Sequence, residues 1–201
     1  MAISKSVVLF LAVALAACNG GVEVVHKTVA EHRAEIDANF KDAEKSPLPK
    51  EAIASFTGVK YYAEDAAYNV KAKFKRSTGE LPFAFPHTNS KTYVYVKYGE
   101  LYFSLDNQPC TLSVYQSPEL SKQAGYEKYL FIPFTDLTNG TDTYAGGRYL
   151  EFSIPDKEDV ELDFNFTYTP YCAYNPAFSC PIPPKENNLS VAVKAGEKLY
   201  Q

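Results

Sequence analysis

The sequence predicts a mainly β protein, built as a β-sandwich or a partly open barrel with one N-terminal amphipathic helix. Three observations favour this class. From residue 58 onward, apolar residues recur with a period of two in short runs separated by turn residues. The chain contains 16 Tyr and 13 Phe, and these residue types are enriched in strands. Only one segment, near the N-terminus, has a clear helical period, and this combination is typical of sandwiches and barrels.

The first 17 residues have the pattern of an export signal. Lys5 precedes an apolar run, residues 7–15, that is too short to span a bilayer as a helix. The run ends in Leu-Ala-Ala followed by Cys18, which resembles the lipobox of bacterial lipoproteins, whose cysteine carries the lipid. We therefore expect a lipoprotein signal peptide over 1–17 and lipidation at Cys18. A plain secretory signal and an uncleaved anchor helix are the alternatives.

Net charge and the residue after the cysteine bear on partners and location. The formal net charge of −4 argues against binding to nucleic acid, which needs basic patches. The expected partners are the membrane, through the lipid anchor, and a small-molecule or glycan ligand. Asn19 is not the aspartate that is linked in some bacteria to inner-membrane retention. We therefore expect a place in the bacterial cell envelope, on the outer membrane and facing the periplasm.

A single amphipathic helix is predicted over residues 29–45. Thr28 and Glu31 have the spacing of a capping box, in which each side chain bonds the other residue's backbone N–H. Proline at position 47 cannot continue a helix, so the helix should end before it. The apolar face is formed by four positions at helical spacing: Val29, His32, Ile36 and Phe40.

The rest of the chain is predicted to be strands and loops. Alternation and turn residues predict strands at 68–75, 92–97, 99–116 (a hairpin), 128–134, 147–154, 160–168 and 189–195. The predicted division of the chain is a signal peptide over 1–17, a lipidated cysteine with tether and helix over 18–50, and one β-rich domain over 51–201.

Two irregular segments interrupt this pattern. Residues 169–188 hold five prolines and no periodicity between two predicted strands. Residues 134–149 form the second such segment, rich in Thr and Gly. Loops this long inside a compact domain are functional or disordered, and the aromatic residues here favour order. We expect the two segments to meet at one end of the sheet.

The cysteines of the first segment predict a disulfide. Cys172 and Cys180 would close a loop of about nine residues, worth on the order of 2.5 kcal/mol in the entropic account, and an oxidising envelope favours pairing. A metal site is the alternative, but the three histidines, at 26, 32 and 87, lie far from both cysteines in sequence. We therefore expect no metal. Cys110 is expected to be a small buried apolar residue.

Arg148 is the most unusual charged residue. Strand alternation places it on the same side as Leu150, and an arginine that points to a core needs acceptors. Asp136 and Glu186 are the candidates. Two interpretations stay open: a buried ion pair that fixes the loop, and an arginine at the mouth of the sheet that binds a carboxylate or phosphate.

The two segments and the C-terminus also resemble a known family. The segments are FTDLTNG (134–140), TYAGGRYL (143–150), DFN (163–165), YCAYN (171–175), CPIPPKEN (180–187) and AGE (195–197). Together they resemble domain of unknown function 1684, in its lipoprotein branch, over roughly residues 55–200. The resemblance implies that residues of these segments cluster, but it implies no reaction, substrate or cofactor.

The sequence therefore predicts a lipid-anchored envelope protein that binds a small anionic or glycan-like ligand in a polar pocket, without a cofactor. The alternatives are an envelope hydrolase with Asp136 or Glu186 as general base and a structural, partner-docking lipoprotein. The expected ligand-binding residues are Asp136, Thr143, Tyr144, Arg148, Asn165, Tyr174, Asn175, Glu186 and Asn187.

Overall fold

A computed structural model describes residues 28–89 and 92–200. Its strands are β1 (Asn69–Arg76), β2 (Phe83–Phe85), β3 (Tyr93–Leu105), β4 (Gln108–Gln116), β5 (Tyr129–Phe134), β6 (Arg148–Ser153) and β7 (Asp159–Asp163). They form one seven-stranded antiparallel sheet in the order β6-β5-β4-β3-β1-β7, with β2 paired to β3. The sheet curls into a half-barrel, which confirms the mainly β class and the partly open barrel form.

The predicted hairpin is present, with a longer first strand. β3 and β4 are joined at Asp106 and Asn107, whose φ values of 51° and 59° are the left-handed values that a tight hairpin turn needs. Two predicted strands, 92–97 and the start of the hairpin, are one continuous strand in the structure. The register shifts by one residue between Lys97 and Gly99, so a β-bulge joins the two halves.

Two predicted strands differ from the structure. The strand expected over 160–168 ends at Asp163, because a short 3₁₀ turn, Phe164–Phe166, follows it. The strand expected over 189–195 was wrong: this segment belongs to no strand of the sheet. Its alternation is nevertheless real, since Leu189, Val191 and Val193 are buried in the core.

The two faces of the sheet carry different clusters. The inner face holds the main core, which includes Leu101, Leu112 and Ile132, and the C-terminal segment 189–195 covers it. The outer face carries a smaller cluster of Phe131, Tyr149 and Cys180, and other aromatic side chains pack around that cluster. β5 therefore has buried residues on both sides, as expected for 128–134.

The helix α1 (Val29–Lys41) has the predicted capping box. Thr28 accepts from the Glu31 backbone N–H, and the Glu31 carboxylate accepts from the Thr28 N–H at 2.9 Å. The helix ends at Lys41, four residues earlier than predicted, because Asp42 is extended and its N–H bonds the carbonyl of Asn39. A second helix, α2 (Lys50–Ile53), is a single turn.

The membrane-related expectations concern other residues. The predicted signal peptide and Cys18 lie outside the described residues. Within residues 28–89 and 92–200, no helix combines the length and the apolar character that crossing a bilayer requires.

Candidate functional site

Arg148 lies at the start of β6 with its side chain in the core, and it is completely buried. Its Nη2 donates to Asp136 Oδ2 at 2.9 Å, and neither side chain has any exposed surface. Nη2 also donates to the Val193 carbonyl at 2.7 Å, and Nη1 donates to the carbonyls of Ala195 (2.6 Å) and Glu197 (3.1 Å). Of the two interpretations of Arg148, the geometry matches the buried ion pair.

This pair explains why segment 189–195 can lie buried without a strand partner. A buried carbonyl or N–H must find a hydrogen bond, and a sheet usually supplies it. Here the guanidinium supplies donors to three alternate carbonyls, while Asp136 Oδ1 accepts from the Val193 N–H at 3.2 Å and from the Thr138 N–H at 2.8 Å. The loop backbone at Thr135 and Leu137 bonds the first half of the segment, and Arg148 and Asp136 take the place of a neighbouring strand from Val193 onward.

The expected contact between Arg148 and an anionic ligand is not what the geometry offers. The guanidinium has no exposed surface, and its Nε is buried without a partner. Asp136 is likewise enclosed, and a general base must reach the proton that it removes. Glu186 is exposed and accepts from the hydroxyl of Tyr115 at 2.8 Å.

The two irregular segments meet, as expected. The Thr135 N–H donates to the Asn187 carbonyl at 3.0 Å, and the Leu189 N–H donates to the Thr135 carbonyl at 2.8 Å. Gly147 lies against the same junction, where an added Cβ would stand 2.7 Å from Cγ of Pro183.

The nine expected ligand-binding residues are nevertheless divided among separate hydrogen-bond networks. Asp136, Thr143 and Arg148 share one network, in which the Thr143 hydroxyl bonds that of Thr138 at 2.8 Å. Six of the nine side chains are buried and bonded inside the protein: Asp136, Thr143, Arg148, Asn165, Tyr174 and Asn187. Tyr144 and Asn175 are half-buried.

The side-chain amides of Asn187 and Asn165 hold separate chain segments together. Asn187 donates to the carbonyls of Ser113 (2.9 Å) and Pro133 (2.7 Å) and accepts from the Ser113 N–H at 2.7 Å, so it bridges β4 and β5. Asn165 donates to the Asp65 carbonyl at 2.9 Å and accepts from the Asp65 N–H at 3.1 Å. Asn187 thus holds two neighbouring strands together, and Asn165 holds the chain that leads into β1 against the end of β7.

Glu197 is a buried acid that sequence reasoning missed. It accepts from the Thr169 N–H at 2.8 Å and from the Tyr174 hydroxyl at 3.0 Å, and it is 3% exposed. Desolvation by burial raises the pKa of Glu197 to about 7, against the bonds from Thr169 and Tyr174 and the charge of Arg148, which lower it. Its only sequence signal was its place in the AGE segment.

The outer face of the sheet carries a different group of residues, which we call the aromatic depression. Its floor is Phe131 and Tyr149, with ring centroids 4.8 Å apart. Glu151 Oε1 accepts hydrogen bonds from the hydroxyls of Tyr129 (3.2 Å) and Tyr168 (3.4 Å). The half-buried side chains around the floor are Tyr95, Tyr129, Glu151, Tyr168 and Cys172.

These side chains are crowded by protein and still partly accessible. Desolvation raises the pKa of Glu151 above its usual value and raises the pKa of Tyr129 and of Tyr168 well above theirs. Each of the three side chains nevertheless keeps part of its surface open to solvent. A partly accessible carboxyl group beside hydroxyls and an aromatic floor offers the mixture of polar and aromatic groups that ligand sites use.

The two cysteines lie at the edge of the aromatic depression as free thiols. The Cys172 N–H donates to Cys180 Sγ at 3.1 Å, and the Cys180 N–H donates to the Thr88 hydroxyl at 3.1 Å. A hydrogen bond from the Cys180 thiol lowers the pKa of Cys172 to about 7; bonds from Tyr144 and Thr88 act in the same direction, and burial opposes them. The pairing of the two cysteines as a disulfide stays a prediction.

Metal ligands do not gather in the part of the chain that the structure describes. Across residues 28–89 and 92–200, no group of three or more His, Cys, Asp or Glu side chains is arranged to hold an ion. A dithiol pair supplies only two ligands, fewer than the three or four that a zinc site uses.

These features define a class: mainly β half-barrels whose C-terminal segment is fixed by a core arginine. The chain belongs to the DUF1684 family, described as a protein of unknown function, whose model matches residues 54–198. A solution NMR structure of an uncharacterised protein from Haloarcula marismortui is similar, with 35% sequence identity and a TM-score of 0.66. The match covers 85% of this chain and 91% of that one. No curated protein matches.

Proposed function

We propose that this protein is a lipid-anchored protein of the cell envelope whose β-domain binds a small glycan-like ligand in the aromatic depression. One observation carries the binding proposal. A carboxyl group, Glu151, is held by the hydroxyls of Tyr129 and Tyr168 on a half-open surface with an aromatic floor.

The chemistry of the aromatic depression suits a polyhydroxylated ring. Aromatic faces pack against the apolar faces of sugar rings, and a few fixed polar groups orient the ring hydroxyls. Glu151 and the hydroxyl of Tyr168 are such groups, and Tyr95 adds a half-buried ring 6.1 Å from Phe131. Because Arg148 lies in the core, the proposal requires no anionic group on the ligand.

The anchor proposal is supported by the lipobox-like sequence before Cys18. Residues 19–27 can extend to at most about 30 Å, so a lipid on Cys18 would hold the β-domain close to the membrane surface. Stable anchoring needs more than one acyl chain, which a multiply acylated cysteine provides. Asn19 favours the outer membrane, with the domain in the periplasm.

Binding can be tested with two neutral probes, an N-acetylglucosamine tetramer and maltotetraose. The chain has 16 Tyr and no Trp, so tyrosine fluorescence, to which the four Tyr residues of the aromatic depression contribute, can be used to follow binding. We expect saturable binding of at least one probe, weakened about tenfold or more by Glu151→Gln combined with Tyr168→Phe, since two hydrogen bonds are lost. Tyr102→Phe, at an exposed ring on β3, is the matched control.

The binding experiment can support or overturn the proposed site. Loss of binding in the double variant with Tm within about 2 °C of the parent supports the aromatic depression as the site. No saturation by either probe, or equal binding by the parent and the double variant, overturns the binding proposal.

The anchor has its own test. We expect the intact mass of membrane-extracted protein to show residues 1–17 removed and acyl chains on Cys18, and Cys18→Ser to move the protein to the soluble fraction. An unmodified Cys18 in the membrane-extracted protein overturns lipid anchoring and leaves the binding proposal untouched.

A further inference from the structure

The two thiols at the edge of the aromatic depression differ in access. Cys172 lies on a short 3₁₀ turn, Tyr171–Ala173, and is half-exposed. Cys180 is 5% exposed and lies directly before Pro181, which pairs with His87 in an isolated bridge. Cys172 is therefore the more accessible of the two residues, while Cys180 is buried and its Sγ accepts from the Cys172 N–H at 3.1 Å.

The two cysteines are neighbours in the structure, since the Cys172 N–H donates to Cys180 Sγ at 3.1 Å. The Cys180 thiol lowers the pKa of Cys172 to about 7 against the effect of burial, and Tyr144 and Thr88 act in the same direction as the thiol. The contact with Cys172 and burial raise the pKa of Cys180. A lowered pKa leaves more of the thiolate, which is the reactive form of cysteine.

The segment between the cysteines is ordered without a bond between the sulfurs. The Asn175 N–H donates to the Tyr171 carbonyl at 2.9 Å, and the rings of Tyr171 and Phe178 are 5.4 Å apart. A disulfide across this short loop would constrain only about nine residues, so it is a modest part of the stability of a domain. The fold therefore orders this loop with both thiols reduced.

We propose that Cys172 and Cys180 form a redox-active dithiol and disulfide couple, with Cys172 as the attacking sulfur and Cys180 as the resolving sulfur. The co-reactant is a molecule that carries an accessible disulfide. This activity is separate from ligand binding in the aromatic depression.

The exchange balances in two displacements. The Cys172 thiolate attacks one sulfur of the co-reactant disulfide, so a mixed disulfide forms and the other sulfur leaves as a thiolate that takes up a proton. Cys180 then loses its proton and attacks Cys172 Sγ, which forms the Cys172–Cys180 bond and expels the second thiolate. The protein pair is oxidised by two electrons, and the co-reactant is reduced to two thiols.

Alkylation of the reduced full-length chain by iodoacetamide, read site by site by mass spectrometry, tests the first step. We expect Cys172 to react with a midpoint near pH 7, because the thiolate is the nucleophile. In Cys180→Ala, which removes the strongest donor, the midpoint should rise toward the ordinary thiol value of about 8.5. Cys110→Ser is the control, since Cys110 is buried on the inner face.

Oxidised glutathione as the probe tests the second step. We expect Cys180→Ala to trap a mixed disulfide on Cys172, and Cys172→Ser to trap none on Cys180. In the unsubstituted chain, the ratio of dithiol to disulfide should follow the composition of a glutathione buffer.

Three results would overturn the proposal. They are a Cys172 midpoint at about pH 8.5 in the unsubstituted chain, a failure to trap glutathione on Cys172, and a disulfide that stays fully formed in reduced glutathione buffer. The last is the behaviour of a structural disulfide. Alkylation of the unsubstituted chain does not depend on any variant folding, so the proposal stays testable if a substitution is disruptive.

Discussion

At the scale of single residues, Arg148 and Asp136 carry the strongest constraint on the fold. A buried ion pair costs desolvation, and here that cost is offset by hydrogen bonds to the carbonyls of Val193, Ala195 and Glu197. The pair therefore fixes where the C-terminal segment lies. Removal of the ion pair should therefore lower the stability of the fold, and it should have no direct effect on ligand binding.

We predict that Arg148→Ala lowers the free energy of unfolding by about 3–5 kcal/mol, because it leaves the Asp136 charge buried and unpaired. Urea denaturation followed by circular dichroism measures this change. Arg76→Ala is the control: Arg76 is exposed and lies over the ring of Tyr98, so its loss should cost under about 1 kcal/mol. Equal midpoints for the two variants would contradict a structural role for Arg148.

Glu197 predicts a specific pH dependence. Its pKa is raised from the usual 4.5 to about 7, so between these values the folded chain binds more protons than the unfolded chain. The contribution of Glu197 to stability is therefore fully present below about pH 4.5 and is lost as pH rises through about 7.

The test compares two chains across pH. Glu197→Gln keeps the shape and remains uncharged, so the stability of the parent relative to this variant should fall from pH 4.5 to pH 7 and then level off. Thermal denaturation at intervals of pH measures the difference, in which other titrating groups cancel. A constant difference would show that Glu197 titrates alike in both states.

Sequence reasoning reached part of this residue-level picture. Alternation along β6 predicted that Arg148 points inward, with Asp136 and Glu186 as the two candidate partners, and the structure pairs it with Asp136. It could not choose between a structural and a ligand-binding arginine, because the deciding acceptors are backbone carbonyls of a segment 45 to 49 residues away. Backbone acceptors have no sequence signature.

At the scale of elements, Gly147 marks the point where the two irregular segments meet β6. Its φ of +91° is in the left-handed region, and an added Cβ would lie 2.6 Å from the Phe134 carbonyl and 2.7 Å from Pro183. Gly79 also has a positive φ, +78°, but an added Cβ there would meet nothing within 4 Å. A comparison of substitutions at the two glycines therefore distinguishes the cost of backbone strain from the cost of a steric clash.

We therefore predict that Gly79→Ala costs about 1 kcal/mol, the price of a left-handed residue with a side chain. Gly147→Ala should cost about 1–3 kcal/mol more, because the clash displaces β5 or the proline-rich segment. The denaturant midpoints of the two variants measure both costs. Similar losses of stability in the two variants would mean that the chain around Gly147 rearranges to relieve the clash.

The elements themselves were predictable wherever alternation coincided with strand pairing. β1, β5, β6 and the β3–β4 hairpin satisfy this condition. Segment 189–195 alternates just as well, with Leu189, Val191 and Val193 inward. Its hydrogen bonds, however, go to the loop backbone at Thr135 and Leu137 and to the side chains of Arg148 and Asp136. Periodicity in the sequence indicates that one face of a segment is buried, but it does not indicate which groups the backbone bonds.

At the scale of the whole molecule, the two faces of the half-barrel have separate roles. The inner face, closed by the C-terminal segment, holds the Arg148–Asp136 pair, which the sequence suggested for ligand binding and which serves the fold. The outer face holds the aromatic depression and the thiol pair. The sequence indicated only that β5 is apolar on both sides. It could not predict the rest of the outer face, because only the tertiary fold brings Tyr168 and Cys172 beside Tyr149.

The N-terminal helix is tied to the same assembly, although the sequence suggested that it belongs to a tether. Phe40 packs on Phe56 and Tyr174, with ring centroids 5.3 Å and 4.9 Å away. Tyr174 in turn donates to Glu197. The Asp37 carboxylate accepts from the Val59 N–H at 2.8 Å, so the helix also fixes the chain that leads into β1.

These contacts predict that Phe40→Ala destabilises the whole domain by about 3–5 kcal/mol, since it opens a cavity among aromatic side chains. Circular dichroism follows the unfolding of the sheet and of the helix separately. We expect both midpoints to shift together, as a single transition. Leu137→Ala, at a side chain that is 66% exposed, is the control and should change little. If α1 were only a tether, Phe40→Ala would melt the helix and leave the midpoint of the sheet where it was.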